Sequence, residues 1–265
     1  MERVQQPMND FNRTFGGIDA RSADTSVNVG LRTFMLGVYQ KLALGIALAG
    51  VLAFLVGSNM VPALTELVLF SPLRLVIQFA PIVLILGSAF LMKRPSPLAT
   101  GIVYWTIVSL LGLSLSIWVY LSLAGTGVET RAGRGLSPTL YTMAKAFLLT
   151  SSAFGALSLF GYMTKTNLKP VGVFAVFALW GIVGVSLLSL LFPPSGFLEV
   201  AIMVGVLAVS GILIAFDTQN LKEGYFQNEG DTRSLAVMTN FGALSFFISF
   251  YNIFTVLMSM LSSND

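Results

Sequence analysis

Seven long apolar runs, separated by short polar segments, dominate the pattern of this chain. Each run has about the 20 mostly apolar residues that an α-helix needs to cross the hydrocarbon core of a bilayer. The runs cover residues 34–56, 73–92, 99–124, 143–163, 171–192, 198–221 and 235–261. Proline and glycine, which interrupt or end helices, are frequent in the connections. The pattern therefore predicts an all-α, polytopic integral membrane bundle of about seven transmembrane helices.

Composition supports lipid as the main solvent of this chain. Of its 265 residues, 55% are hydrophobic and only 10% are charged, whereas soluble domains carry about 25% charged residues. The chain has no Cys and no His, which excludes thiol and imidazole catalysis, zinc-thiolate sites and disulfides. We also find no phosphate-binding or nucleotide-binding fingerprint, and the net charge of +3 is small. We therefore expect no enzyme activity, no cofactor, no metal site and no nucleic-acid partner; the expected partner is the lipid bilayer.

The chain divides into a polar segment and one membrane domain. Residues 1–32 lack an apolar region, so we expect a disordered cytoplasmic tail rather than a cleaved signal. Residues 33–265 are predicted to form a single transmembrane domain. Basic residues concentrate on the side of the bundle that carries the N-terminus, and basic loops stay in the cytoplasm. We therefore predict a cytoplasmic N-terminus, an external C-terminus and a bacterial inner membrane as the location. The basic residues on this side are Arg3, Arg13, Arg21, Arg32, Lys93, Arg94, Lys165, Lys169, Lys222 and Arg233.

Polar residues inside the apolar runs are the candidates for function, because they are costly in a membrane unless they face a cavity or a partner. Asp217 lies in the sixth run, about 7–8 Å before its cytoplasmic end at Lys222. A carboxyl group in that position is a candidate proton-sensing gate, although an interfacial Asp that reaches headgroups and water fits equally well. Lys41 enters the first run from the same side and is a possible ion-pair partner of Asp217. Snorkelling to the interface is the alternative for Lys41.

The seventh run carries a polar stripe with steps of four, three, three and four residues, so its members lie on one helical face. The stripe consists of Ser245, Ser249, Asn252, Thr255 and Ser259. Such a face borders a polar pathway through the bundle, or it makes hydrogen bonds between helices or back to its own carbonyl groups. Small residues that allow helices to approach closely are also expected at helix contacts. The candidates are Ser152, Gly155, Ser158, Gly181, Gly184, Gly205 and Gly211.

Four segments resemble one family of membrane proteins. Residues 211–225 read GILIAFDTQNLKEGY, and residues 242–261 read GALSFFISFYNIFTVLMSML. Residues 159–165 read LFGYMTK, followed by KPVG at 169–172, and residues 39–45 read YQKLALG. In this order they are similar to the Bax inhibitor / YccA family, and the resemblance covers residue 32 to the C-terminus.

The resemblance implies seven membrane helices and a stress-related role, including restraint of a membrane-bound AAA protease by bacterial relatives. It also implies a pH-sensitive cation leak, best supported for Ca²⁺, in which two aspartates in the sixth and seventh spans share a proton. Asp217 matches the first aspartate, but Ser249 stands at the position of the second. Ser249 can donate a hydrogen bond to Asp217 but cannot ionise with it, which puts the coupled gate in doubt.

Two functional hypotheses follow from this departure. The first is a regulator that binds and restrains another membrane protein, with residues 1–32 as a candidate contact segment. The second is a cation leak, with Ca²⁺ as the permeant ion, gated by Asp217. A metabolite transporter is a third hypothesis, supported only by the polar stripe.

Overall fold

The structure of the protein is a computed structural model in which eight α-helices account for most of the chain. It describes residues 6–92, 94–125, 128–129, 135–136, 138–189, 191 and 195–263, with described side chains beginning at Val29. The helices are α1 Gln6–Gly57, α2 Pro62–Thr65, α3 Leu73–Leu91, α4 Pro97–Ala124, α5 Leu140–Met163, α6 Lys169–Leu188, α7 Gly196–Gln227 and α8 Thr232–Ser262. A π-helical turn, Glu66–Phe70, continues α2. Strands β1 (Val128–Glu129) and β2 (Gly135–Leu136) pair antiparallel between α4 and α5.

The prediction of an all-α membrane bundle is confirmed. Among the described residues, six helices are long and apolar enough to cross a membrane. A seventh span exists if the bent pair Pro62–Phe70 and Leu73–Ser88 is counted as one, with a bend of 66° between its parts. The second apolar run, 73–92, is α3 itself, and the bent pair adds the segment before it, from which Ser71-Pro72 separates it because Pro72 lacks a backbone N–H.

Helix α1 extends further towards the N-terminus than the first apolar run. It begins at Gln6, and its membrane-crossing part runs from Val29 to Gly57. The helix therefore reaches into the segment for which we expected a disordered tail. The division into a cytoplasmic tail at 1–32 and a membrane domain at 33–265 stays a prediction.

Local capping explains where several helices begin. The Ser96 hydroxyl accepts from the backbone N–H of Ala99 at 3.1 Å, and Pro97 occupies the first turn of α4. Thr139 and Thr142 form a reciprocal capping box at α5, with bonds of 3.0 and 3.1 Å. Asp231 caps α8 by accepting from two backbone N–H groups at 3.0 and 3.2 Å. These bonds satisfy amides that have no partner within the first helical turn.

Helix α8 lies at the centre of the bundle. It packs against α1, α4, α5 and α7, while α3 packs on α4 and α6 on α7 at the periphery. The side chains of Phe246 and Met258 on α8 are completely buried. By contrast, α6 exposes Phe174, Phe177 and Trp180, as expected of a peripheral helix that faces lipid.

Helices approach each other closely at two glycines that were not among the expected contacts, Gly161 and Gly112. A Cβ on Gly161 would lie 2.2 Å from the carbonyl oxygen of Ala215, so α5 and α7 touch backbone to backbone there. A Cβ on Gly112 would lie 2.6 Å from Cα of Ala49, which marks the same kind of contact between α4 and α1.

The predicted contacts at Gly155, Gly181 and Gly184 are wrong, because a Cβ on any of them meets nothing within 4 Å. Gly205 and Gly211 do face neighbouring helices. A Cβ on Gly205 would lie 3.4 Å from Cδ1 of Ile182, and a Cβ on Gly211 would lie 3.3 Å from Cδ1 of Leu157. Glycine spacing identifies helices that can approach closely, but the rotation of each helix decides which glycines face a neighbour.

Candidate functional site

Asp217 lies between α7 and α8, at the sixth-span motif. Its Oδ2 accepts a hydrogen bond from the Ser245 hydroxyl of α8, and the Asp217 side chain is half-buried. Both are polar residues within apolar runs that the sequence analysis selected, and the structure brings them together. The donor is Ser245 rather than Ser249, which lies one turn further along α8. A hydrogen bond to a carboxyl oxygen in this apolar setting joins the two helices directly.

Thr218, the next residue of the motif, belongs to a second polar contact that links three helices. Its hydroxyl lies 3.1 Å from the hydroxyl of Ser158 on α5, and Ser158 lies 2.5 Å from the hydroxyl of Tyr39 on α1. Thr218 also donates to the carbonyl of Ile214 at 2.7 Å. Sequence reasoning proposed Ser158 only as a packing residue and did not select Tyr39 or Thr218. Their presence in the quoted family segments was the available signal.

Gln219, the third residue of the motif, fastens the connection between α5 and α6. Its Oε1 accepts from the backbone N–H of Leu168, and its Nε2 donates to the carbonyl of Thr166, both at 2.8 Å. The side chain is only 8% exposed. Asp-Thr-Gln thus directs three successive side chains to three different neighbours, because successive helical residues are about 100° apart. Gln219 is therefore a structural clamp beside the Asp217 contact.

Lys41 has a different partner from the one predicted. Its Nζ donates to Oδ1 of Asn240 on α8 and lies 5.4 Å from the centroid of the Tyr104 ring. The ion pair with Asp217 is not among the contacts of the described residues, where Lys169 and Glu223 pair at 2.7 Å instead. The α1–α8 packing places an amide oxygen opposite Lys41, which gives the ammonium an uncharged hydrogen-bond acceptor.

Asn240 completes this Lys41 cluster on α8. Its Nδ2 donates to the carbonyl of Pro97 at 2.9 Å and to the Thr100 hydroxyl at 2.8 Å. Tyr104 closes the cluster by donating to the carbonyl oxygen of Lys41 at 2.7 Å. Asn240 is 4% exposed, and sequence reasoning missed it because it lies before the stripe, near the start of the seventh run. The cluster holds α1, α4 and α8 together.

The rest of the polar stripe on α8 splits into different environments. Ser249 and Ser259 are buried, whereas Asn252 and Thr255 are partly buried. Thr255 donates to carbonyl oxygens of its own helix, at Tyr251 (2.9 Å) and Asn252 (3.1 Å). That is the alternative expected of a Thr in a membrane helix. The Thr255 hydroxyl is therefore committed to its own helix rather than presented to a pathway.

The helices and their buried polar contacts define a polytopic α-helical membrane protein in which the Asp217 carboxyl group is hydrogen-bonded between the last two long helices. The family model described as inhibitor of apoptosis-promoting Bax1 matches residues 31–265. The chain therefore belongs to the Bax inhibitor-1 family, as its resemblance in four segments implied.

Relatives in bacteria match almost the whole chain. An uncharacterized protein of Caulobacter vibrioides is 43% identical over 267 residues, covering 97% of this chain and 99% of that protein. Uncharacterized protein RP147 of Rickettsia prowazekii is 31% identical, with the same coverage of 97% and 99%. Inner membrane protein YbhL of Escherichia coli K12 is 28% identical over 86% of this chain and 91% of its own length.

Proposed function

We propose that this chain is a membrane-embedded, stress-related regulator that binds and restrains another membrane protein, with a membrane-bound AAA protease as the first candidate. Membership of the Bax inhibitor-1 family supports a role of this kind. The regulator would act in the bacterial inner membrane, the location that the relative inner membrane protein YbhL is named for.

The observation that carries the proposal is that the hydrogen bonds of Asp217 and Thr255 are made within the helix bundle. Asp217 is engaged by Ser245, and Thr255 is turned to its own helix. Between α1, α4, α5 and α8 the bundle instead contains an apolar cleft bordered by Phe247, Phe250 and Phe254. Among the described residues, acidic side chains do not gather in groups of three that could hold a metal ion, whereas Ca²⁺ takes six to eight oxygen ligands. This arrangement favours binding to a partner over conduction of a cation.

The test reconstitutes the full chain with a membrane-bound AAA protease in liposomes and measures degradation of a membrane substrate. We expect the full chain to slow degradation and to co-purify with the protease. Deletion of residues 1–28, which leaves the span from Val29 intact, is expected to remove both effects if the polar segment contacts the partner. Unchanged degradation and no co-purification with the full chain would refute the regulator.

A proton-sensitive cation leak is the second candidate, because the Asp217 carboxyl group, which can gain and lose a proton, lies at the contact between α7 and α8. Protonation of the carboxyl group changes the strength of that bond and hence the contact between the two helices. The test is Ca²⁺ flux into liposomes at pH values on both sides of neutral, with Asp217→Asn and Ser249→Asp as variants. Flux that depends on pH and on Asp217 supports the leak. Flux that appears only in Ser249→Asp would mean that the native chain lacks the gate.

Orientation is also a proposal, with the N-terminus in the cytoplasm and the C-terminus outside. The chain contains no Cys, so single-cysteine variants report sidedness without background. Asn59 follows α1 and Glu229 lies between α7 and α8, and both are exposed. A membrane-impermeant maleimide added to intact cells should label Asn59→Cys and spare Glu229→Cys. The reverse labelling pattern would contradict the proposed orientation and place the N-terminus outside.

A further inference from the structure

The apolar cleft between α1 and α5 has the properties of a ligand site. Its volume is about 300 Å³, the lower end of the range found for small-molecule pockets. Small residues of α1 form one wall and α5 forms the other, while aromatic side chains of α8 form the base. We infer that this cleft holds an acyl chain of a membrane phospholipid.

Small residues create the space on the α1 side. Ala49, Gly50 and Ala53 border the cleft, and a Cβ added to Gly50 meets nothing within 4 Å. Ala144 on α5 borders it from the opposite side. Gly50 and Ala144 are both exposed, so they lie at the mouth. All of these residues belong to membrane-crossing helices, and the medium at the mouth is therefore the bilayer.

The base of the cleft is aromatic and shielded. Phe247, Phe250 and Phe254 of α8 border the cleft and are only 2%, 7% and 8% exposed. The hydroxyl of Tyr251 is already bonded to Ser114 at 2.8 Å. A polar ligand would find few partners here, and water needs two to four polar groups to be held in a cavity. A hydrocarbon chain regains the dispersion contacts that an empty cleft would lose.

Two residues near the start of α5 indicate where the headgroup lies. Tyr141 is 70% exposed, and Nζ of Lys145 lies 5.2 Å from the centroid of its ring. Tyr and Lys at the end of a membrane helix mark the headgroup region, where Lys reaches phosphate. Tyr141 lies three residues before Ala144 and hence on the same side of α5, so the pair lies near the mouth of the cleft. The acyl chain would thus come from the leaflet in which α5 begins, with its phosphate near Lys145.

The test uses the full chain in phosphatidylglycerol and phosphatidylethanolamine liposomes that contain a trace of phosphatidylglycerol with a photoreactive diazirine in the middle of one acyl chain. After irradiation, adducts are mapped by peptide mass spectrometry. We expect adducts on residues 247–254, because a chain in the cleft reaches these Phe side chains although bulk lipid does not. Phe177 on α6, which is 73% exposed, reports labelling by bulk lipid.

Filling the mouth supplies the matched comparison. Gly50→Leu should reduce labelling of residues 247–254 several-fold and leave labelling of Phe177 unchanged. Gly181→Leu is the control, because Gly181 is also an exposed helical glycine with nothing within 4 Å of its Cβ and does not border the cleft. Ala144→Leu fills the mouth from the opposite wall, should reduce labelling likewise, and keeps the test decisive if Gly50→Leu does not fold.

Two results would overturn the inference. One is labelling of Phe177 without adducts at residues 247–254 in the native chain, which would also be the outcome if a helix of a second copy occupied the cleft. The other is equal labelling of the base in the native chain, Gly50→Leu and Ala144→Leu. Lys145→Gln tests the headgroup placement separately: a several-fold decrease in base labelling supports it, and unchanged labelling overturns it.

Discussion

Replacing Gly161 with Ala tests the backbone contact that positions the Asp217 segment. The new Cβ would lie 2.2 Å from the carbonyl oxygen of Ala215 and 2.8 Å from its Cα. An ordinary contact begins near 3.4 Å, so α5 and α7 must separate by about 1 Å, a strain of the kind that overpacking produces. Because the obstacle is helix backbone and not a movable side chain, we expect a loss of about 3 kcal/mol in the free energy of unfolding, the upper part of the range for overpacking.

The assay is reversible unfolding in mixed detergent micelles, with Gly155→Ala as the control on the same helix. A Cβ on Gly155 meets nothing within 4 Å, so that change should leave stability equal or raise it by up to about 1 kcal/mol through helix propensity. The Asp217–Ser245 contact, two residues beyond Ala215, should weaken only in Gly161→Ala. Equal stability of the two variants would refute the close approach of α5 and α7.

Three other changes test the polar contacts. Gln219→Leu removes both 2.8 Å bonds to the α5–α6 connection and should cost about 1–3 kcal/mol in unfolding free energy, with Gln219→Glu intermediate because it keeps the acceptor. Asn240→Leu leaves the Lys41 ammonium without its amide partner and should cost about 1–3 kcal/mol; Lys41→Met in the same chain should recover part of the loss, and simple additivity of the two changes would contradict the contact. Hydrogen bonds from Ser234 hold the pKa of Asp231 below its ordinary value of 3.8, so the cap stabilises α8 above that value and is lost as pH falls through the lower folded pKa. Melting temperature should therefore fall with acidification more steeply in the native chain than in Asp231→Asn, and identical pH profiles would contradict the cap.

Most of the fold was predictable because a bilayer imposes local rules. Every backbone amide in the hydrocarbon core must be satisfied within its own helix, and the core thickness fixes the helix length. Each span therefore appears as a continuous run such as 99–124, which the structure places at Pro97–Ala124. The segment before the second run is the exception, because Pro62–Phe70 is also helical and meets α3 at a 66° bend whose direction no periodicity could predict.

The candidate site was predictable only in part. Asp217 is conspicuous because an acid is rare within apolar sequence, and Ser245 was found through the period of the α8 stripe. The donor to Asp217, the amide opposite Lys41 and the function of Gln219 were not predictable, because several polar residues share each helical face. Periodicity gives a face but does not choose among Ser245, Ser249 and Asn252 as the partner of Asp217.

The sequence by itself determined that the chain lies in a membrane, where most of its helices run and which acid is embedded among them. Only the tertiary structure decided that α8 is the central helix, that Gly161 rather than Gly181 is a point of close contact, and that Lys41 pairs with Asn240. The physical reason is that burial of apolar residues in lipid is a property of each segment, whereas the rotation and offset of one helix against another depend on all the contacts between them.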